Sequence, residues 1–281
     1  MADFDRLWDF KQIPLTEERF RALLPATEGA VRLELLTQIA RAQGLQRRFN
    51  EAHATLDEVA AQLTDDMALV RLRYLLERGR VQNSSGEASK SIPLFLEAWN
   101  LGQAAGEEDY AVDAAHMLGI VEPDPGAQLA WSLKALTVAE ASTKARRWLG
   151  PLYNNIGWTY ADMGQYEDAL ELFRRGVALR EEQGQPGPIR MALYAYGHAL
   201  RKLGRSEEAM AVQERAWESA QSTGEQAPYV REELGELLLA QGRAEEARPH
   251  FAAAYEGLSE DPWLVRHESD RLERLRELGG A

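Results

Sequence analysis

The chain has 281 residues, 45% of them hydrophobic and 27% charged, enough apolar side chain to bury a core and enough charge to keep a surface wet. Its formal net charge is -13 and its pI about 5.0, a surface that repels nucleic acid and anionic lipid. There is no cysteine, which excludes disulfides, iron–sulfur clusters, thiolate zinc sites and a cysteine nucleophile.

In chain order, the opening "MADFDRLWDFKQIPLTEERF" is acidic early and holds no apolar run of signal-peptide length. No later stretch reaches the ~20 apolar residues of a membrane helix. A soluble cytoplasmic protein without a membrane partner is the expectation. Residues 1–32 read as N-terminal capping helices, with Thr16 as the N-cap of the second and Glu17 and Glu18 in its first turn.

From residue 33 to residue 258 one unit recurs. The first copies are "LLTQIARAQGLQRRFNEAHATL", "LLERGRVQNSSGEASKSIPLF" and "VDAAHMLGIVEPDPGAQLAW". The later ones are "LYNNIGWTYADMGQYEDALELF", "LYAYGHALRKLGRSEEAMAVQ" and "VREELGELLLAQGRAEEARPHF". Gly157, Gly197 and Gly235 align, as do Gly164, Gly204 and Gly242. A small residue marks the middle of each copy: Ala52, Ser91, Ala127, Ala169, Ala209 and Ala247, at steps of 39, 36, 42, 40 and 38 residues. Each copy reads as two helices, the first stopped by a glycine able to take a left-handed conformation. Small residues sit where backbones approach, and large aromatics fill the grooves between. Gln213 stands where an aromatic is expected and Lys134 where a small residue is expected. The stretches "REEQGQPGPIRM" and "ESAQSTGEQAPYV" read as Gly- and Pro-rich loops. Residues 259–281 read as a C-terminal capping helix that Asp261 and Pro262 start, with Leu264, Leu272, Leu275 and Leu278 on its apolar side.

This pattern of leucine, glycine, tyrosine, alanine and an aromatic resembles the tetratricopeptide repeat, although the period exceeds the usual ~34 residues. The resemblance implies an all-α fold: a right-handed α-solenoid of about six helix pairs with N- and C-terminal caps. It also implies that the first helix of each pair lines a concave groove for a peptide or protein segment. The positions so placed are Gln38, Arg41, Glu77, Arg80, Asn83, Asp113, His116, Asn154, Asn155, Trp158, Tyr194, His198 and Arg201. Arginine, histidine and tryptophan supply charge-assisted hydrogen bonds and flat surface, as partner anchors do. The pair Asn154-Asn155 resembles the paired asparagines of kinesin-light-chain-type repeats. The plainer reading has Glu77 pair with Arg80 and Asp113 with His116, three residues apart on one helix, and Trp158 pack on the neighbouring copy. Glu232, Glu233 and Glu236 make the C-terminal end of the groove acidic.

Signs of chemistry are missing. The five histidines show no i, i+4 pair and no HExxH, and no phosphate loop, dinucleotide fingerprint or G-x-S-x-G elbow occurs. The expectation is therefore a scaffold or adaptor that is not an enzyme, with no metal, no cofactor and no nucleic-acid partner. The alternative is a self-assembling structural repeat protein, a homo-oligomer that uses its ends or convex face. A pheromone sensor joined to a DNA-binding domain fits less well, because the segment before Leu33 is short and shows no helix-turn-helix signature.

Overall fold

The structure, a computed structural model, describes residues 4–280, which pack as two units, one ending at Trp148 and a second starting at Leu149. Among the described residues there is no strand. In the first unit the long helices are α1 (Ile13–Leu23), α2 (Gly29–Leu45), α3 (Phe49–Ala60), α4 (Ala68–Ser84), α5 (Ala88–Ala105), α6 (Glu108–Val121) and α7 (Pro125–Ala141). In the second they are α8 (Leu149–Asp162), α9 (Tyr166–Gln183), α10 (Pro186–Lys202), α11 (Ser206–Thr223), α12 (Pro228–Ala240), α13 (Ala244–Leu258), α14 (Pro262–His267) and α15 (Ser269–Gly279). Consecutive helices pack on each other, as α4 on α5 and α10 on α11, and the first helix of a pair also meets the next, as α2 meets α4.

One contact recurs within the pairs. A Cβ placed on Gly157 would overlap the Phe173 ring; one on Gly235 would lie 2.8 Å from Phe251, and one on Gly79 2.6 Å from Phe95. In each case the ring stands sixteen residues after the glycine. The absent side chain lets a fully or nearly fully buried phenylalanine come close to the facing helix backbone. Burying such a ring contributes about 1.5–3 kcal/mol relative to leaving it exposed. Around these contacts Leu35, Ile39, Leu72 and Leu118 fill the interior of the first unit, and Leu152, Ile156 and Leu193 that of the second.

The turns between paired helices have a common closure. Gly86, Gly164, Gly204 and Gly242 sit at φ of 91, 74, 74 and 76°, each seven residues after the packed glycine. Seven residues after Ala40 the same conformation is held by Arg47, at φ 60°. A side chain there costs about 1–2 kcal/mol, which the glycines avoid.

Several local expectations are corrected. Helix α1 starts at Ile13, not Thr16; Thr16 lies inside it, fully buried, and its hydroxyl donates to the Asp9 carbonyl at 3.2 Å. Glu17 is likewise buried, accepting from Arg21, Gln46 and Arg48. The prolines of "GQPGPIRM" and "EQAPYV" open α10 and α12, because proline at the first helical positions gives up no needed N–H. The extra residues of the period therefore lie in helices of 17 and 18 residues, such as α9 and α10, and not in loops. The C-terminal segment is two helices. Asp261 caps α14, accepting from the Trp263 N–H at 2.8 Å, and Leu272 and Leu275 belong to α15. In α7 the buried small residues are Ala135 and Ala139; Lys134 is exposed, its ammonium 3.8 Å from the centroid of the Trp131 ring.

Candidate functional site

In the first unit α2, α4 and α6 bring together Arg41, Glu77, Arg80 and Asp113. Arg80 Nη1 donates to Glu77 Oε1 at 2.5 Å, and its Nη2 to Asp113 Oδ2 at 2.6 Å. Arg41 Nη1 reaches the same Glu77 oxygen at 3.5 Å. Asp113 thus pairs with Arg80 across 33 residues and not with His116 on its own helix. Burial works against the Arg80 charge, but Asp113 and Glu77 outweigh it and raise its pKa above the ordinary arginine range. His116 has its pKa lowered chiefly by burial, against the pull of Asp113, and its ring lies 5.4 Å from Trp148. Gln38 is buried and accepts from Trp8 Nε1 at 2.9 Å. Asn83 is half-buried on the last turn of α4.

The second unit repeats the arrangement on α8, α10 and α12. His198 Nδ1 lies 2.8 Å from Glu233 Oε1, and Arg201 Nε donates to Glu233 Oε2 at 2.7 Å. Burial alone would raise the Glu233 carboxyl, but the hydrogen bonds from Arg201 and His198 hold it at about 2. Trp158 packs on Phe173, Tyr194 and His198 at centroid distances of 5.3, 5.7 and 5.1 Å. Burial, then Glu233 and Glu232, raises the Tyr194 hydroxyl. The acidic end is neutralised from α15: Arg271 pairs with Glu232 and Arg274 with Glu236.

The same rule holds within each unit. The arginine or histidine just after the packed glycine or alanine of one first helix meets the carboxylate two before that position on the next. Arg41 and Glu77, Arg80 and Asp113, and His198 and Glu233 all obey it. The sequence signal was a basic residue and a carboxylate 36, 33 and 35 residues apart, in each case three fewer than the repeat period.

Asn154 and Asn155 are placed differently. Both are exposed, joined by a 3.1 Å side-chain hydrogen bond, and line a cleft of about 580 Å³ in the second unit. It is also lined by Phe173, Gly176, Ala192 and Ala195, and by Met191 and Arg180. Met191, 53% exposed, also borders a second cleft of about 330 Å³ containing Tyr194 and Tyr229. Arg180, Met191 and Tyr229 were not among the expected groove positions, because they lie on second helices or off the aligned positions. Among the described residues no group of acidic and histidine side chains could hold a metal ion, and no helix is long and apolar enough to cross a membrane.

Paired helices of this kind, closed by left-handed glycines and joined by a ladder between first helices, define an α-helical repeat protein. The tetratricopeptide repeat family matches residues 152–182, 192–223 and 214–262. The chain is a tetratricopeptide-repeat protein, a fold that serves as a scaffold for protein partners. Similar solved structures carry the same fold. The apo form of RapI has 14% identity and a TM-score of 0.77, covering 99% of this chain and 81% of its own. BtubC from P. vanneervenii has 16% identity and a TM-score of 0.61, covering 80% and 93%. A signal transduction ATPase with numerous domains from Pyrococcus horikoshii, which has a tetratricopeptide repeat sensor, has 15% identity and a TM-score of 0.71, covering 94% and 41%. No curated protein matches in sequence.

Proposed function

We propose that the protein is a non-enzymatic cytoplasmic adaptor of about six helix pairs over residues 33–258, capped by residues 1–32 and 259–281. It holds an extended protein segment along its first helices. The observation that carries this reading is the cleft of about 580 Å³ bordered by the exposed amides of Asn154 and Asn155. A side-chain amide both donates and accepts, so adjacent asparagines match the alternating N–H and C=O of an extended backbone. The apolar floor takes a side chain of that segment, and Met191 and Tyr194 extend the surface toward Tyr229. Trp158, His198 and Arg201, and in the first unit Gln38, Arg41, Glu77, Arg80, Asn83, Asp113 and His116, stand on the same first helices and are the further groove positions of this reading.

The test is capture of a partner on immobilised wild type and on the Asn154→Ala/Asn155→Ala variant, followed by titration of the captured protein. The variant is expected to bind it at least about tenfold more weakly. Equal binding by both would remove the cleft from the interface. The second reading, self-association, is favoured by Trp263 and Val265 on α14, which are 58 and 51% exposed. Sedimentation of wild type and Trp263→Ala over a range of concentrations tests it: a mass that rises with concentration only in wild type supports that contact.

A further inference from the structure

Among the described residues that line the Asn154–Asn155 cleft, Arg180 of α9 alone is charged. In a chain of net charge -13 it pairs with no carboxylate among the described residues. Its Nη1 donates to Gln183 Oε1 at 2.8 Å, and its Nε and Nη2 bond no acceptor there. The neighbouring Glu181 is engaged by Arg215. Arg180 is half-buried, so its guanidinium stays open to the cleft it lines.

The edge left over on Arg180 is the one that takes carboxylates elsewhere in the same unit. Arg174, Arg201 and Arg205 each give Nε and Nη2 to the two oxygens of one glutamate, Glu171, Glu233 and Glu208 respectively. Two parallel bonds of this kind select a planar anion by geometry as well as by charge. The position of the Arg180 guanidinium is also provided for. It lies against Gly150 in the first turn of α8, where a Cβ would overlap Nη2.

Beside this cation the cleft is apolar. Pro188, Met191 and Ala192 stand at i, i+3 and i+4 on α10 and so share one face. None of the three is buried, and Met191 is 53% exposed.

We propose that the partner segment held in this cleft carries an aspartate or glutamate two residues from an apolar residue. The acidic side chain meets Nε and Nη2 of Arg180, and the apolar one rests on Pro188, Met191 and Ala192. The spacing follows from the extended backbone, whose side chains alternate in direction, so that two entering one cleft are two residues apart. The inference rests on the reading of this cleft as the seat of an extended segment, and it adds the sign and spacing of what that segment presents.

Two blocked pentapeptides, acetyl-AEALA-amide and acetyl-ALAEA-amide, present the pair in either chain direction. Titration of the full chain, by calorimetry or NMR, is expected to give a Kd of about 1 mM or below for the better of the two. Acetyl-AQALA-amide and acetyl-ALAQA-amide, which keep the shape without the charge, should bind at least about tenfold more weakly. Arg180→Gln should lose the acidic peptide by a similar factor, with Tm within about 2 °C of wild type, since no carboxylate is left behind. Arg180→Glu should reverse the preference, binding the lysine counterpart of the better peptide at least about fivefold more tightly than wild type does.

No saturable binding of either acidic peptide by wild type up to about 20 mM would overturn the inference. Unchanged binding by Arg180→Gln would do the same. Acetyl-AQAL with a free C-terminus, if it bound more tightly than both acidic peptides, would replace the acidic side chain with a chain end and overturn the proposed pair. The Asn154→Ala/Asn155→Ala variant separates the two readings. If the acidic and glutamine peptides bind wild type equally, and both bind the double variant more weakly, the acidic assignment falls and the cleft stands. If the double variant binds them as wild type does, the cleft falls, and this inference with it.

Discussion

Gln213 lies against Gly197 as Phe173 lies against Gly157 and Phe251 against Gly235: a Cβ on Gly197 would stand 2.5 Å from Gln213 Nε2. The amide is fully buried and donates to the Tyr194 carbonyl at 3.0 Å, but its Oε1 has no partner. A polar side chain thus fills an aromatic slot and leaves one acceptor unmet, at a cost of about 1–3 kcal/mol. Gln213→Phe removes that acceptor and restores the ring found in the neighbouring pairs. The urea midpoint is expected to rise, by about 1 kcal/mol of stability at an unchanged slope. A fall in the midpoint would show that the slot is too narrow for a ring.

Gly157→Ala tests the same contact in reverse. The added methyl overlaps the Phe173 ring, and both residues are buried, so neither has room to give. Overpacking of this kind costs about 1–3 kcal/mol. Gly164→Ala makes a useful comparison, because that glycine has open space around it and only its φ of 74° is strained by a side chain. Both variants should unfold at lower temperature than wild type. Phe173→Leu should rescue Gly157→Ala in part and Gly164→Ala not at all.

The carboxyl of Glu233 gives the protein an acid limit. In the unfolded chain it titrates near its ordinary 4.5, and in the fold at about 2. Between these values the unfolded state binds more protons. The stabilisation is therefore fully present above pH 4.5 and is lost as pH falls toward 2. Its full size is about 3 kcal/mol. Glu233→Gln keeps the shape but removes the charge that Arg201 and His198 meet. Urea midpoints followed by circular dichroism from about pH 7 to about pH 3 should fall more steeply for wild type than for the variant. Parallel curves would mean that Glu233 is not the carboxylate that matters.

The helical repeat was legible from the sequence because its signals are local. A glycine at helical spacing, a second glycine seven residues on and a ring sixteen residues on follow from the geometry of two packed helices, whatever the partner. Thr16, Pro186 and Pro228 were misplaced because a cap residue and a helix-opening proline look alike in a loop and in a first turn. The wall residues were harder to read. Arg80 and His198 have the chemistry of ligand anchors, and the spacing alone did not show that Asp113 and Glu233 on the next first helix meet them. Pairing between repeats depends on the superposition of successive helices, and only the structure sets that to within the length of a side chain. Asn154 and Asn155 were identifiable as a pair, whereas the cleft beside them arises from Gly176, Ala192 and Ala195, each unremarked on its own.

Arg80 and Asn155 should therefore behave in opposite ways. Arg80→Ala leaves Glu77 and Asp113, both buried, without the guanidinium they share, and Arg41 stands 3.5 Å from Glu77. Breaking a buried pair in this way costs about 3–5 kcal/mol. Asn155→Ala removes an exposed amide and should change stability by no more than about 0.5 kcal/mol. Differential scanning calorimetry on the two variants decides the matter. A stable Arg80→Ala protein would mean that the ladder contributes little and that Arg80 is available to a partner.

Trp8 covers the wall of the first unit at Gln38. Its ring stacks on Phe10 at 5.1 Å, meets Phe20 edge-on at 5.2 Å and lies under the Arg41 guanidinium at 5.4 Å, while its N–H bonds Gln38. These roles are separable. Trp8→Phe keeps the ring against Phe20 and Arg41 but leaves the buried Gln38 oxygen without its donor, a loss of about 1–3 kcal/mol. Trp8→Ala removes the ring contacts as well and should cost about 3–5 kcal/mol. Gln38→Leu in the Trp8→Phe background replaces the orphaned amide with an apolar side chain of similar length. It is expected to recover most of the first loss, since removing both members of a buried polar pair is far less costly than removing one. Urea denaturation of the three variants and wild type, with Gln38→Leu alone as the fourth variant, completes the cycle. If Gln38→Leu recovers nothing, the Trp8 side chain holds the segment by packing alone, and its hydrogen bond to Gln38 is incidental to stability.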